Sequence, residues 1–515
     1  MGNLTTGEAQ MPELFTDRYA KLIRSTLRCL DRVVITGTLP GICYAHGMAT
    51  YLSARRIRIF DYPKWAEPLR DEIRANAEAI AAENDIEIEF VRKKNLRKED
   101  RVAQIINARG DHPGLVCILS AMESCSTYKP WHDKRTHRTF LKPDTAQCLH
   151  YYFYFIDELF GLCYLRVPTW APFRLQFYFN GHNLLANQLR RTGIGYALLD
   201  NAFVEIADSA HAQQLADSID VKQLHRLLDS AAARYCPVIR HFETCYHWSL
   251  MQVEYATDIL FCRQRDLDPI YEDLVRTAVH SVKPDRIATF LSRKLTDGYT
   301  DEMGNDFTTR IQGTSIKHHM GPAAIKMYNK FSILLRIETV VNDVTFFKHH
   351  RMVEHRNGTR ELKLAPMKKS IYSLPDLVEL MSAANRRYLE FISAIDDPTP
   401  GINNLDKISR PARDNHRTYR GFNLFHGDDL ALFRTLSRGE FFISGFRNSD
   451  LRRHLDRGGR QVSAILKRLR IHGIVKKVGR TYKYYLTTAG KRLIATAQKL
   501  TEMSIIPLLR GQLAN

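Results

Sequence analysis

Residues 314–341 read TSIKHHMGPAAIKMYNKFSILLRIETVV. Short apolar runs separated by turn residues predict three consecutive strands here: Ser315 to His319, Ala324 to Tyr328 and Leu334 to Val341. Side chains alternate along a strand, so Lys326 and Lys330 fall on the same face as Tyr328. Arg336 and Glu338 share a face of the next strand in the same way. A tyrosine hydroxyl, with an ordinary pKa of about 10, serves as a nucleophile where cations stabilise the charge it develops. Tyr328, Lys326, Lys330 and Arg336 therefore bring a phenol and three cations together. Glu338, with Asp343 or His319, offers ligands for a divalent cation, Mg²⁺ or Mn²⁺. The structural alternative is an ordinary sheet tyrosine beside a cross-strand Arg336–Glu338 ion pair.

Working outward, residues 1–125 alternate short apolar runs with helical patterns. VVITGTL, IRIF, EIEFVRK and GLVCILSAM read as strands, and KWAEPLRDEIRANAEAIAAEND and KEDRVAQIINARG as helices. Such alternation predicts an α/β domain with a mostly parallel sheet. No G-x-G-x-x-G or P-loop follows any strand, so no nucleotide cofactor is expected. The charge run RKKNLRKEDR, residues 92–101, is either a solvated loop or a nucleic-acid contact. Residues 126–143 are polar and basic and read as a long loop. Around it lie Cys125, His132, His137, Cys148 and His150, whose spacings match none of the short paired-ligand patterns of zinc.

Strands follow at Tyr151 to Ile156, Leu162 to Pro168 and Phe173 to Phe179, with a helix from Asn183. Their aromatics are either sheet core or, beside Arg166 and Arg174, a stacking platform for unpaired bases. VKQLHRLLDSAAARY and HWSLMQVEYATDILF give residues 211–300 a helical reading. The expected layout is an α/β domain over 1–125 and a strand-rich part over 126–210. A helical insert over 211–300 and a strand-rich part over 301–395 carrying Tyr328 and Glu338 come next. A linker over 396–424 leads to a C-terminal domain over 425–515. The fold class is thus α/β plus α+β, multidomain.

Length and composition agree. A chain of 515 residues with 44% apolar and 25% charged residues is a folded protein of about two to four domains. No apolar run is long enough to cross a membrane, so no membrane partner is expected. No positive segment precedes an apolar one at the N-terminus, so no signal peptide is expected. Nine cysteines, all between Cys29 and Cys262, fit reduced thiols in the cytoplasm. The net charge of +19 is unevenly placed: residues 401–515 hold 23 lysines and arginines against 8 acidic residues, a net of +15. A basic end on a nearly neutral body predicts a polyanionic partner.

That basic end has a readable order. Asp428 to Leu436 is a helix, Ile443 to Phe446 a short strand or turn, and a helix capped by Asn448 or Ser449 runs to Leu455. GRQVSAILKRLRIHGIV follows as a helix whose buried stripe is Val462, Ile465, Leu466, Leu469 and Ile474. KKVGRTYKYYLTTAGKRL then reads as hairpin and final helix. The order is similar to winged helix-turn-helix domains of the MarR type. The resemblance implies that Arg460, Gln461, Ser463, Lys467, Arg468 and Arg470 face a major groove of duplex DNA. It also implies that Lys476, Lys477, Arg480 and Lys483, in the wing, lie over the backbone.

Ile325-Lys326-Met327-Tyr328-Asn329-Lys330 followed by Leu335-Arg336-Ile337-Glu338 resembles plasmid and filamentous-phage rolling-circle replication initiators. This resemblance implies that Tyr328 attacks a DNA phosphate, with Lys326, Lys330 and Arg336 as the other candidate catalytic residues, and that the protein comes from a mobile element. Two features depart from the family: His318 and His319 are adjacent rather than separated by one apolar residue, and no second tyrosine stands three or four residues from Tyr328. The leading expectation is a cytoplasmic DNA-binding protein with replication-initiator-like nicking and joining. A non-enzymatic winged-helix regulator and an RNA-binding protein are the alternatives.

Overall fold

Eleven strands drawn from almost the whole first 341 residues hydrogen-bond into one sheet in the computed structural model. The structure describes residues 14–92, 97–295, 299, 301–310, 313–393, 406–423, 425–479 and 481–500. The strands are β1 (Ile23–Thr38), β2 (Ile88–Phe90), β3 (Gly114–Asp133), β4 (Arg138–Asp157), β5 (Gly161–Pro168) and β6 (Leu175–Asn180). A side hairpin, β7 (Tyr196–Leu199) and β8 (Ala202–Ile206), stands apart from the sheet. Next come β9 (His247–Phe261), β10 (Met303–Arg310), β11 (Gly313–Met320), β12 (Ala323–Lys330) and β13 (Leu334–Val341). The sheet order is β10-β11-β12-β13-β9-β1-β6-β5-β4-β3-β2. Among the described residues only β2 and β3 pair in parallel.

One face of the sheet is apolar. Val33, Ile35, Phe153, Phe155, Phe177 and Phe179 are buried there, in one continuous core with Ile73, Leu228, Tyr271 and Met381. Those last four come from helices Tyr62–Glu83, Val221–Tyr235, Gln264–Ser281 and Leu374–Ser393. The opposite face carries Tyr154, Tyr164, Tyr178, Arg336 and Glu338, as the registers require. No helix of the described residues is long and apolar enough to cross a membrane.

Several expectations change. The chain separates into two compact units, Met1–Ala394 and Ile395–Asn515, so the expected boundaries near 125, 210 and 300 cut through one sheet. HWSLMQVEYATDILF is not helical but the central strand β9, hydrogen-bonded to β13 on one side and β1 on the other. A strand buried on both faces loses its alternation and imitates a buried helix. The expected loop over 126–143 is the far end of the β3–β4 hairpin, where Trp131 pairs with Phe140. Both faces there are largely exposed, so no period of two marks it. IRIF lies where Ile59–Asp61 forms a single 3₁₀ turn. The mostly parallel N-terminal sheet is replaced by an antiparallel one because β1 pairs with β6 and β9.

The second unit contains helices Gly427–Leu436, Gly439–Ser444, Asn448–Arg452, Gly459–Ile471 and Thr488–Leu500, with a hairpin of Val475–Lys477 and Tyr484–Leu486. Phe446 adds a bridge to Tyr484 at the hairpin's edge. The expected linker over 396–424 is partly corrected: Ala412–Asp414 and Arg417–Tyr419 form a hairpin, and Phe422 is buried in this unit's core. The earlier part of that span lies outside the described residues.

Glu123 ties β3, β4, β5 and the helix Lys98–Arg109 together. It accepts from Lys98 at 2.6 Å, Tyr152 at 2.7 Å and Arg166 at 2.9 Å. Burial works against its charge, but these donors win and hold the carboxyl down at about 2. A depressed carboxyl contributes stability above its unfolded value of 4.5 and loses it as pH falls toward about 2. Denaturant midpoints measured from pH 7 to pH 2 should therefore show Glu123→Gln costing most at neutral pH and nearly nothing at the acid end.

Candidate functional site

The site grows from a bulge in β1. Leu30 pairs with Tyr255 and Val33 with Val253, so Asp31 and Arg32 together face the single residue Glu254. Gly181, at the start of the helix Gly181–Thr192, comes so close to this bulge that a Cβ would sit 2.2 Å from the Leu30 carbonyl oxygen. That approach delivers Asn180 and His182 to Asp31. Asn180 donates to Asp31 at 2.6 Å, and the His182 Nδ1 stands 3.4 Å from it.

Arg336 fills the space between. Its side chain is fully buried and grips Asp258 bidentately, at 2.6 Å from both Nε and Nη2. Nη1 reaches Asp31 at 3.3 Å, and Nη2 also donates to the Asn201 carbonyl at 2.7 Å. Asn201 in turn donates to both oxygens of Asp31. The Arg336 Nη2 lies 3.1 Å from the His182 Nε2, in a ring that burial disfavours as a cation but that its contacts with Asp258 and Asp31 push well above the ordinary imidazole range. Burial raises the cost of charge on Asp31, yet His182 and Arg336 hold it well below the carboxylate range.

Beside this cluster, Asp31, Glu254 and Glu338 bring one carboxylate oxygen each to within 4.8 Å of one another. Such a donor set suits a hard divalent cation. Lys326 lies against two members of the set, 2.8 Å from Glu338 and 3.7 Å from Glu254. Burial, opposed by Lys326 and helped by Glu254 and Asp31, pushes Glu338 up to about 7. Tyr328, directly across from Arg336, has its hydroxyl pKa raised by burial and then by Glu338. Lys330 bonds Asp200 at 2.9 Å and also Asn201, and burial lowers its pKa.

The expected residues thus divide. Tyr328, Lys326, Lys330, Arg336 and Glu338 share one sheet face. Arg336, with no exposed surface, anchors the two aspartates rather than meeting a substrate. Asp343 is not a member of the carboxylate set: it caps the turn Val344–Phe346 and pairs with Lys369 at 3.2 Å. His319 is not either, since its Nδ1 lies 3.4 Å from Asp306 across the β10–β11 pair. Asp31, Glu254, Asp258, His182 and Asn201 went unread. For Asp31, Glu254 and Asp258 the signal was a charge inside an apolar strand, as in CLDRVV and VEYATDILF.

In the second unit, Arg460, Gln461, Ser463, Arg470, Lys476 and Lys477 are exposed, and Lys467 and Lys483 partly so. Gln461 accepts from the Gly458 N–H at 3.0 Å, and Ser463 accepts from Asn448 at 2.9 Å. Lys467 pairs with Asp414 at 2.5 Å. Arg468 is not on the outer face. It turns inward to Asp429, at 2.9 and 3.1 Å, and lies 3.7 Å over the Phe422 ring. Helical position 468 adjoins the stripe Val462, Leu466 and Leu469, so it faces the core rather than a groove. Arg480 lies outside the described residues. Comparison with protein-family models, curated proteins and solved structures finds no match to this chain.

Removing one partner of a buried pair strands the other's charge, at a cost of about 3–5 kcal/mol. Arg336→Met should therefore lower the unfolding free energy of the first unit by that amount. Asp258→Asn combined with Arg336→Met should recover part of it. Denaturant titration of the single and double variants measures both.

Proposed function

We propose that this chain is a DNA-binding protein whose second unit docks on duplex DNA as a winged helix-turn-helix and whose first unit performs metal-dependent strand transfer at Tyr328. The DNA-binding half is supported by the pair Asn448–Arg452 and Gly459–Ile471, followed by a hairpin that Phe446 extends. The inner face of the second helix is apolar, while Arg460, Arg470, Lys476 and Lys477 stand outward. Exposed cations on one helix and one hairpin are the groups that would contact phosphates on either side of a groove.

The catalytic half rests on a single observation: Tyr328 shares its sheet face with three carboxylates close enough to hold one cation. Asp31, Glu254 and Glu338 would hold Mg²⁺ or Mn²⁺, and the cation would supply Lewis-acid charge for a phosphoryl oxygen. Lys326, two residues from Tyr328 on the same strand face, would stabilise its phenolate.

A second reading, the regulator without chemistry, draws on a different observation. Lys326 and Lys330 are each already neutralised by carboxylates, and Tyr328 is harder to ionise than a free tyrosine. An RNA platform on Tyr151 to Phe155 has no such support, because all five rings are buried.

Two measurements separate the readings. Each of Arg460→Ala, Lys476→Ala and Lys477→Ala that removes a phosphate contact should lower the salt slope of duplex binding by about 0.9. An unchanged slope in all three would reject the second unit as the docking surface. With Mn²⁺ and supercoiled or single-stranded DNA, the wild-type chain should become covalently linked to a DNA end, and Tyr328→Phe should not. No adduct with the wild-type chain would leave the regulator as the better account, and an adduct that survives Tyr328→Phe would reject Tyr328 as the nucleophile.

A further inference from the structure

Away from the Tyr328 cluster, one thiol pair stands apart from the other cysteines. Cys117, Cys163 and Cys236 are buried with their thiols pushed up by burial, Cys117 and Cys236 to about 12. Cys125 and Cys148 differ. Cys148 is opposite Glu123, and Cys125 is opposite Ala146, two residues along on each strand, so the two cysteines are diagonal neighbours on one face of the β3–β4 ladder. Their thiols influence each other's ionisation.

Cys125 borders a cavity of about 320 Å³ whose lining also includes His150, Arg166, Trp170, Arg174 and Gln176. Cys125 faces this space, whereas Cys148 stands behind it, 3.8 Å from the His150 Nδ1. His150 is buried, donates from Nδ1 to the Cys148 carbonyl at 3.0 Å, and is held down to about 4 by burial and by Arg166. It is therefore uncharged at neutral pH. The contact with Cys148, and after it the Arg166 guanidinium, lowers the Cys125 thiol against the effect of burial. Cys125, the thiol at the cavity wall and beside Arg166, is thus the one placed to meet a small solute there.

We propose that Cys125 and Cys148 form a reversible dithiol site that reacts with small hydroperoxides entering this cavity. The Cys125 thiolate attacks the distal peroxide oxygen and the O–O bond breaks. Cys125 becomes a sulfenic acid, and the peroxide's other oxygen leaves as hydroxide or alkoxide, which takes up a proton. The Cys148 sulfur then attacks the sulfenic sulfur. The S–O bond breaks, the S–S bond forms, and the hydroxyl leaves as water with the Cys148 proton. In total two thiols and one hydrogen peroxide give one disulfide and two waters. An external dithiol reverses the step by exchange.

The test is peptide mapping of the full-length protein after brief exposure to hydrogen peroxide, without reductant. A linked peptide joining Cys125 to Cys148 should form at least about tenfold faster than oxidation at the exposed Cys245 and Cys262. Dithiothreitol should remove it. In Cys148→Ser the reaction should stop at a Cys125 sulfenic acid that dimedone traps, and in Cys125→Ser neither the link nor a dimedone adduct at Cys148 should form. Because the rate comparison uses the wild-type chain, it stands even if a variant folds poorly. Oxidation of Cys125 no faster than that of Cys245 and Cys262, or equal dimedone labelling of Cys148 in Cys125→Ser, would overturn the proposal.

Discussion

A guanidinium with no solvent contact, held by two aspartates, is the interaction on which the first unit depends. Arg336 on β13, Asp258 on β9 and Asp31 on β1 bind three adjacent strands through their side chains as well as their backbones. A buried charge of this kind is tolerated only when every donor is used, and Arg336 uses Nε and both terminal nitrogens. The cost is high if any partner moves, so the cluster fixes the register of the strands that carry it. It also fixes the bulge at Asp31, and through it the position of the neighbouring carboxylates.

Glu254 and Glu338 inherit that position. Each sits two residues, or four, along the same strand face from a member of the arginine cluster: Glu338 beside Arg336, Glu254 along from Asp258. Three acids and Lys326 are thereby concentrated where the sheet would otherwise be apolar. Burying such a set costs more than burying aliphatic side chains of similar volume, which is a physical reason to look for chemistry there.

The sequence made part of this visible. β11, β12 and β13 were legible because turn residues cut them and their faces alternate; Lys326, Tyr328 and Lys330 were correctly assigned to one side. The order of helices and hairpin in the second unit was equally legible, because its apolar stripe has a clear helical period. β9 was not, since burial on both faces erased its period of two. Asp31 and Asp258 were missed for the same reason: they are lone charges within apolar runs, and their partners come from strands more than 70 residues distant. Arg468 was misread because charge, rather than helical position, set its direction. Long-range pairing decides such residues, and no local pattern records it.

The central claim is that the carboxylates fixed by Arg336 form one cation site beside Tyr328. Electron paramagnetic resonance of the full-length protein titrated with Mn²⁺ tests it most directly, using Glu254→Gln and Glu338→Gln as isosteric controls. The account predicts one bound Mn²⁺ per chain in the wild type and at least about a tenfold loss of affinity in either variant. Mn²⁺ binding that is absent from the wild type, or that is unchanged in both variants, would contradict it.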